Sequence, residues 1–168
     1  MITREGPLEK FSNFRADDLT ARLIVHYFFQ ADFLFRDYRR VKSALARQKR
    51  RTRWRASQET TYLRLWLAAL FTVVEGFKIL KLKDSEIELL LTSAHVDSLR
   101  RFRNATFHYQ KDPIKHVQFF VEDGVPTDNR LEWAEKLHAA FDRFQRDYRV
   151  EVTVRNVMKA RGVTDIVK

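Results

Sequence analysis

Residues 63–80 read Leu-Arg-Leu-Trp-Leu-Ala-Ala-Leu-Phe-Thr-Val-Val-Glu-Gly-Phe-Lys-Ile-Leu. Apolar side chains surround this run instead of marking one stripe, so it predicts a helix buried on more than one side. Its expected span is Gln58 to about Lys83. The chain has only 4 Gly and 3 Pro in 168 residues, which removes the punctuation of a many-stranded fold. An apolar share of 45% is enough for one sizeable core. No stretch reaches the roughly 18–20 apolar residues a bilayer span needs.

Other helices follow on either side. One is expected from Ala16 to Gln48, with Leu19, Leu23, Phe33, Leu34, Tyr38, Val41 and Leu45 on one stripe. Ile24, Val25, Phe28, Phe29 and Phe35 fall outside that stripe, so this helix too should be covered on two sides, by the bundle or by a second subunit. Ser85 and Glu88 have capping-box spacing, which starts a short helix at Ser85 that reaches Leu91. A further helix is expected over Ala94–Gln110, stopped by Lys111-Asp112-Pro113. Val117 to Val125 reads as an irregular connection. Thr127 or Asp128 caps a last helix to Arg149, with Ala134, Leu137, Phe141, Phe144 and Tyr148 as its core stripe. The tail from Val150 alternates like a strand but can also extend the helix. The expected organisation is a loose arm over residues 1–15, an all-α up-and-down bundle of four to five helices over 16–150, and a C-terminal extension over 151–168.

Charge points toward the partner. There are 32 Lys+Arg against 22 Asp+Glu, a net charge of +10, which suits a polyanion. Arg47 to Arg55 reads Arg-Gln-Lys-Arg-Arg-Thr-Arg-Trp-Arg, six cations and no acid. Arg50, Arg51, Arg53 and Arg55 can hold phosphates while Trp54 stacks on an unpaired base. The alternative is a solvated linker with Trp54 turned into the core. Glu75 interrupts the most buried helix and needs a partner: Lys78, an active-site arginine, or solvent at an exposed edge.

The chain has no cysteine, which excludes disulfides, thiol catalysis and Cys-ligated zinc and leaves the compartment open. Met1 to Lys10 mixes charges with Pro7 and has no apolar centre, so no signal peptide is expected and a cytoplasmic protein is the default. His95, His116 and His138 have no metal-ligand spacing, and His26 lies on the first apolar stripe as a core residue. No Gly-rich phosphate loop or G-x-S-x-G elbow is present.

The chemistry-bearing segment is Arg100-Arg101-Phe102-Arg103-Asn104-Ala105-Thr106-Phe107-His108-Tyr109. On a regular helix Asp97, Arg100, Arg101, Arg103, Asn104 and His108 share one half, while Leu99, Phe102, Ala105, Thr106 and Tyr109 share the other. Val96 and Phe107 fall within the polar half, as if that half were partly covered. Histidine can accept or deliver a proton near neutral pH. Arginine grips phosphate oxygens in a fork. RNA cleavage needs both.

Arg103-Asn104-x-x-x-His108 resembles the signature of HEPN domains, small all-helical proteins that are often metal-independent ribonucleases. Arg and His with the four to six intervening residues the signature allows are weak evidence alone: 21 arginines and 5 histidines give about two such pairs by chance. The asparagine after Arg103 and the position near the end of a helix strengthen the resemblance. It implies a homodimer with Arg103 and His108 of both copies lining one groove, RNA as substrate, and no cofactor or metal. Arg103 would clamp phosphate, His108 would act as acid or base, and Asn104 would orient. Arg100 and Arg101 would guide RNA, with Glu75 and Tyr109 in supporting places. A toxin or defence role with an antitoxin partner follows by analogy alone. In the toxin subfamily a tyrosine stands two positions after the histidine. Here Gln110 holds that place, so adenylylation there is not expected. The alternatives are a non-catalytic RNA- or nucleotide-binding module and a helical interaction subunit.

Overall fold

Every regular element in the described residues is a helix. These residues are 19–47, 53–109, 111–112 and 130–160 of a computed structural model. Five helices and no strand occur among them, which makes the protein all-α. The N-terminal arm, Arg50, Arg51, Gln110, His116, the 117–125 connection, the Thr127/Asp128 cap and residues 161–168 lie outside the described set. No described helix is long and apolar enough to cross a membrane. The chain divides into two compact units, Met1–Leu82 and Lys83–Lys168.

The first unit is a helical hairpin. Helix α1 runs through Leu19–Arg22, a π-helical segment Leu23–Phe28, and Phe29–Ala46. Helix α2 is Arg53–Ile79. The two run antiparallel: Leu23 near the start of α1 meets Gly76 near the end of α2, and Tyr38 further along meets Trp66 in mid-helix. Tyr38 stacks on Trp66 with ring centroids 5.6 Å apart, and Phe35 tilts against the same indole at 4.5 Å. Trp66, Leu67, Leu70, Val73, Val74 and Phe77 are all buried, as the apolar run of α2 requires.

The π segment corrects the stripe expected for α1. The Phe29 N–H donates to the Ile24 carbonyl, five residues back instead of four. Each such turn carries an extra residue, so the apolar phase slips between the two α-helical flanks. Ala21, Leu23, Ile24, Phe28, Ala31, Tyr38 and Leu45 form the buried set, while Leu19 and Phe33 are exposed. His26, expected in the core, is exposed within the π segment.

Helix α2 starts five residues before the expected Gln58 and ends before Lys83. Lys81 N–H donates to the Lys78 carbonyl at 3.1 Å and Leu82 N–H to the Phe77 carbonyl at 3.1 Å. With Lys81 at φ 53° this is a Schellman end in which lysine holds the place usually given to glycine.

The second unit contains α3 (Ser85–Leu90), α4 (His95–Phe107) and α5 (Arg130–Ala160). The cap of α3 is Asp84, not the expected Ser85. Asp84 Oδ1 accepts the N–H of Glu86 at 3.1 Å and of Ile87 at 2.9 Å, while Glu88 binds Lys83 at 2.8 Å. Arg143 of α5 donates from Nη2 to both Asp84 oxygens at 2.7 Å, from Nε to Glu86 at 3.0 Å and from Nη1 to Asp147 at 3.2 Å. Trp133 Nε1 donates to the Leu90 carbonyl at 3.1 Å, and its ring meets His95 edge-on at 5.5 Å. These contacts tie α3 and the start of α4 to α5. Ala134, Leu137 and Phe141 are buried as expected, with His138 and Gln145 buried beside them, whereas Phe144 and Tyr148 of the expected stripe are only half-buried. The alternation of Val150, Val152 and Val154 does not make a strand, because α5 continues through it.

Candidate functional site

Helix α4 positions the chemistry-bearing segment. Leu99, Phe102 and Ala105 are buried and fix which way the helix faces. Thr106 is only half-buried, its hydroxyl donating to the Phe102 carbonyl at 3.0 Å. The Ser93 hydroxyl oxygen accepts the His95 N–H at 3.2 Å just before the helix, whose N-cap, Ala94, has no side-chain cap. Arg100 and Arg101 are exposed, whereas Arg103 and Asn104 are half-buried.

The helix ends earlier than expected. Its last residue is Phe107, and His108 adopts extended backbone at φ −116° and ψ 146°. His108 therefore does not sit on the regular wheel with Arg103. It is held one step beyond the final turn, its N–H donating to the Asn104 carbonyl at 3.0 Å. The His108 side chain is exposed. Tyr109, expected on the core half of the helix, is 92% exposed because the chain has already left the helix. Phe107 is 62% exposed, so the apolar interruption of the polar half is a real surface feature.

Two local contacts shape the site. Arg103 Nη1 donates to Asn104 Oδ1 at 3.0 Å. Asn104 thus touches both expected partners, one through its side chain and one through its backbone. Asp97 binds Arg100 at 2.6 Å through Nη2 and Arg101 at 2.7 Å through Nε. The hydrogen bond from Arg100, with the charge of Arg101, holds the Asp97 carboxyl below the usual carboxylate range. The two arginines expected to guide RNA are therefore already partnered by one acid. The i, i+3 and i, i+4 spacing from Asp97 carried that signal in the sequence.

The remaining expected residues lie in the first unit. Trp54 is 71% exposed and Arg53 is exposed, which favours the stacking arrangement over a buried indole. Arg55 falls in the first turn of α2. Glu75 is half-buried and Lys78 is exposed. No group of three or more His, Asp or Glu side chains suited to a metal ion occurs among the described residues. The chain matches no known protein family, no curated protein and no solved structure.

Proposed function

We propose that this protein is a metal-independent endoribonuclease that cleaves single-stranded RNA at the exposed end of α4. The observation that carries the reading is the Arg103–Asn104–His108 cluster. A forked cation is hydrogen-bonded to an amide, and the same residue's carbonyl anchors an exposed histidine. Cleavage removes the proton of a ribose 2′-hydroxyl, whose oxygen attacks the adjacent phosphorus. The bond to the 5′-oxygen breaks and that oxygen gains a proton. The products end in a 2′,3′-cyclic phosphate and a 5′-hydroxyl. His108 handles protons, and Arg103 balances charge on the crowded phosphate. One histidine cannot supply acid and base in the same step, so the reading includes a homodimer with two copies of the cluster in one groove.

The test is incubation of labelled single-stranded RNA with the protein in EDTA, beside His108→Ala. Cleavage by the wild type alone, leaving cyclic phosphate ends, supports the reading. Equal cleavage by His108→Ala overturns it. A second reading, RNA binding without cleavage, is favoured by the exposed Trp54 in a run of cations without an acid. It predicts a salt-sensitive complex and intact RNA.

A further inference from the structure

Nine of the chain's 32 cations and none of its 22 acids fall in residues 38–58. The rest of the chain is close to neutral, with 23 cations to 22 acids. The basic character is therefore local. It belongs to the end of α1, the start of α2 and the residues joining them.

The fold sorts this segment by face. Tyr38 and Leu45 point inward and are buried, with Tyr38 stacked on Trp66. Arg39, Arg40 and Lys42 are exposed on α1, and Arg47, which caps its end, is exposed too. Arg40 pairs with Asp37 at 3.3 Å, whereas Arg39 and Lys42 lie over the rings of Phe35 and Tyr38 at 5.7 and 5.3 Å. Those ring contacts hold the cations upright on the helix without neutralising them. Arg53 and Trp54 begin α2 and are exposed.

Two features distinguish this end from an ordinary solvated turn. Cations in the first turn of a helix oppose its dipole, yet α2 opens with Arg53 and Arg55 and no acid in that turn. Trp54 also stands in water, while Trp66 and Trp133 are 0% and 8% exposed. A large ring left out of the core forgoes burial that its two counterparts obtain. Choices that work against stability at one place mark a surface kept for another use.

We infer that this end of the hairpin is a binding site for single-stranded nucleic acid. The Trp54 indole stacks on an unpaired base, and Arg47, Arg53, Arg39 and Lys42 hold the neighbouring phosphates. A double helix offers phosphates but no free base face. An anionic membrane requires an apolar face that enters the headgroup boundary, and Trp54 is the one large apolar residue between Arg47 and Arg55. The inference rests on the proposed reading of the chain as a protein that handles RNA, but not on its cutting RNA.

The probe is a fluorescein-labelled 12-mer of 2′-O-methyluridine, which lacks the hydroxyl that cleavage needs. Anisotropy titrations compare the full-length wild type with His108→Ala, Trp54→Ala and the double variant Arg47→Gln/Arg53→Gln. Wild type and His108→Ala bind alike and with quenched tryptophan emission. Trp54→Ala weakens the 12-mer about tenfold and leaves binding of a duplex of equal length unchanged. The double variant lowers the slope of log affinity against log salt by about 1.4, at about 0.7 per lost phosphate contact. Equal affinity of Trp54→Ala and wild type overturns the inference. So does an equal loss on the duplex, or binding to phosphatidylglycerol vesicles with none to the 12-mer. RNA cleavage in EDTA without any effect of Trp54→Ala would sink this site alone. Binding through Trp54 with no RNA cleavage would sink the ribonuclease alone.

Discussion

The Asn104 carbonyl accepts the His108 N–H at 3.0 Å and so fixes the histidine backbone to the last turn of α4. That anchor does not depend on the Asn104 side chain, which is engaged with Arg103. Substituting Asn104 with alanine should therefore leave His108 placed and release Arg103. The expected result is a loss of cleavage of about tenfold, with RNA affinity unchanged. Arg103→Ala should cost at least about a hundredfold, the scale of losing one charged donor to a reacting phosphate. Single-turnover cleavage beside a binding titration separates the two. An Asn104→Ala enzyme as slow as Arg103→Ala would mean that the asparagine touches RNA directly.

Asp97 holds Arg100 and Arg101, the arginines that the proposed reading turns toward phosphate. Replacing it with asparagine keeps the shape and removes the charge. RNA affinity at low salt should rise by roughly threefold, and the salt slope should steepen by about one contact. Unchanged affinity and slope would show that RNA does not reach these arginines.

Acid should loosen the cap of α3. Burial pushes the Asp84 carboxyl up, but the Arg143 guanidinium and the N–H groups of Ile87 and Glu86 outweigh it, so its pKa lies below the ordinary value. A carboxyl depressed in the folded state stabilises that state above its unfolded pKa, near 4. The contribution is lost as pH falls through the lower folded value. Asparagine also caps helices well, so Asp84→Asn isolates the charged pair with Arg143. It should cost about 2 kcal/mol at pH 7. The gap to wild type should close as the pH is taken below about 4 in urea titrations. A gap independent of pH would assign the loss to the cap instead of the ion pair.

Gly76 should resist alanine although it lies inside a helix. Alanine gains about 1 kcal/mol in helix propensity there. A Cβ on residue 76, however, would run into Cδ1 of the buried Leu23. Overpacking of this kind costs about 1–3 kcal/mol. Gly76→Ala should therefore be destabilising by roughly 1 kcal/mol. Leu23→Val in the same chain should recover part of that loss. A stabilised Gly76→Ala would show that Leu23 rotates away freely.

The helices were legible because their apolar residues recur at helical spacing or, in α2, on every side. Trp66, Leu70 and Phe77 are where that pattern puts them. What escaped it was which edge of a broad stripe faces inward, and departures from ideal geometry. Leu19, His26 and Phe33 recur seven apart on one edge of the α1 stripe, and Phe33 lies about 140° from Tyr38 and about 120° from Leu45 within the same α-helical stretch, so that edge faces solvent. Asp84 displaced Ser85 as the cap because a second partner, Arg143, lies 59 residues away in sequence and only the fold brings it there. The end of α4 at Phe107 has no proline or glycine to announce it, so Tyr109 was placed on a helix that had already finished. The chemical groups of the site were readable from residue type, while the Asp97 bridge was readable from spacing and changes what Arg100 and Arg101 offer.

The π segment of α1 also sets where the chain can change length. A stretch closed by five-residue hydrogen bonds is an α-helix with one residue inserted. Deleting the exposed His26 or Tyr27 would convert it to ordinary turns while both flanks keep their present faces. Deleting one residue within Phe29–Ala46 would instead rotate everything beyond it by about 100°, carrying Tyr38 or Leu45 out of the core. Length variation in this helix is thus tolerable at one place, and that place is visible as the wide turn beside Gly76.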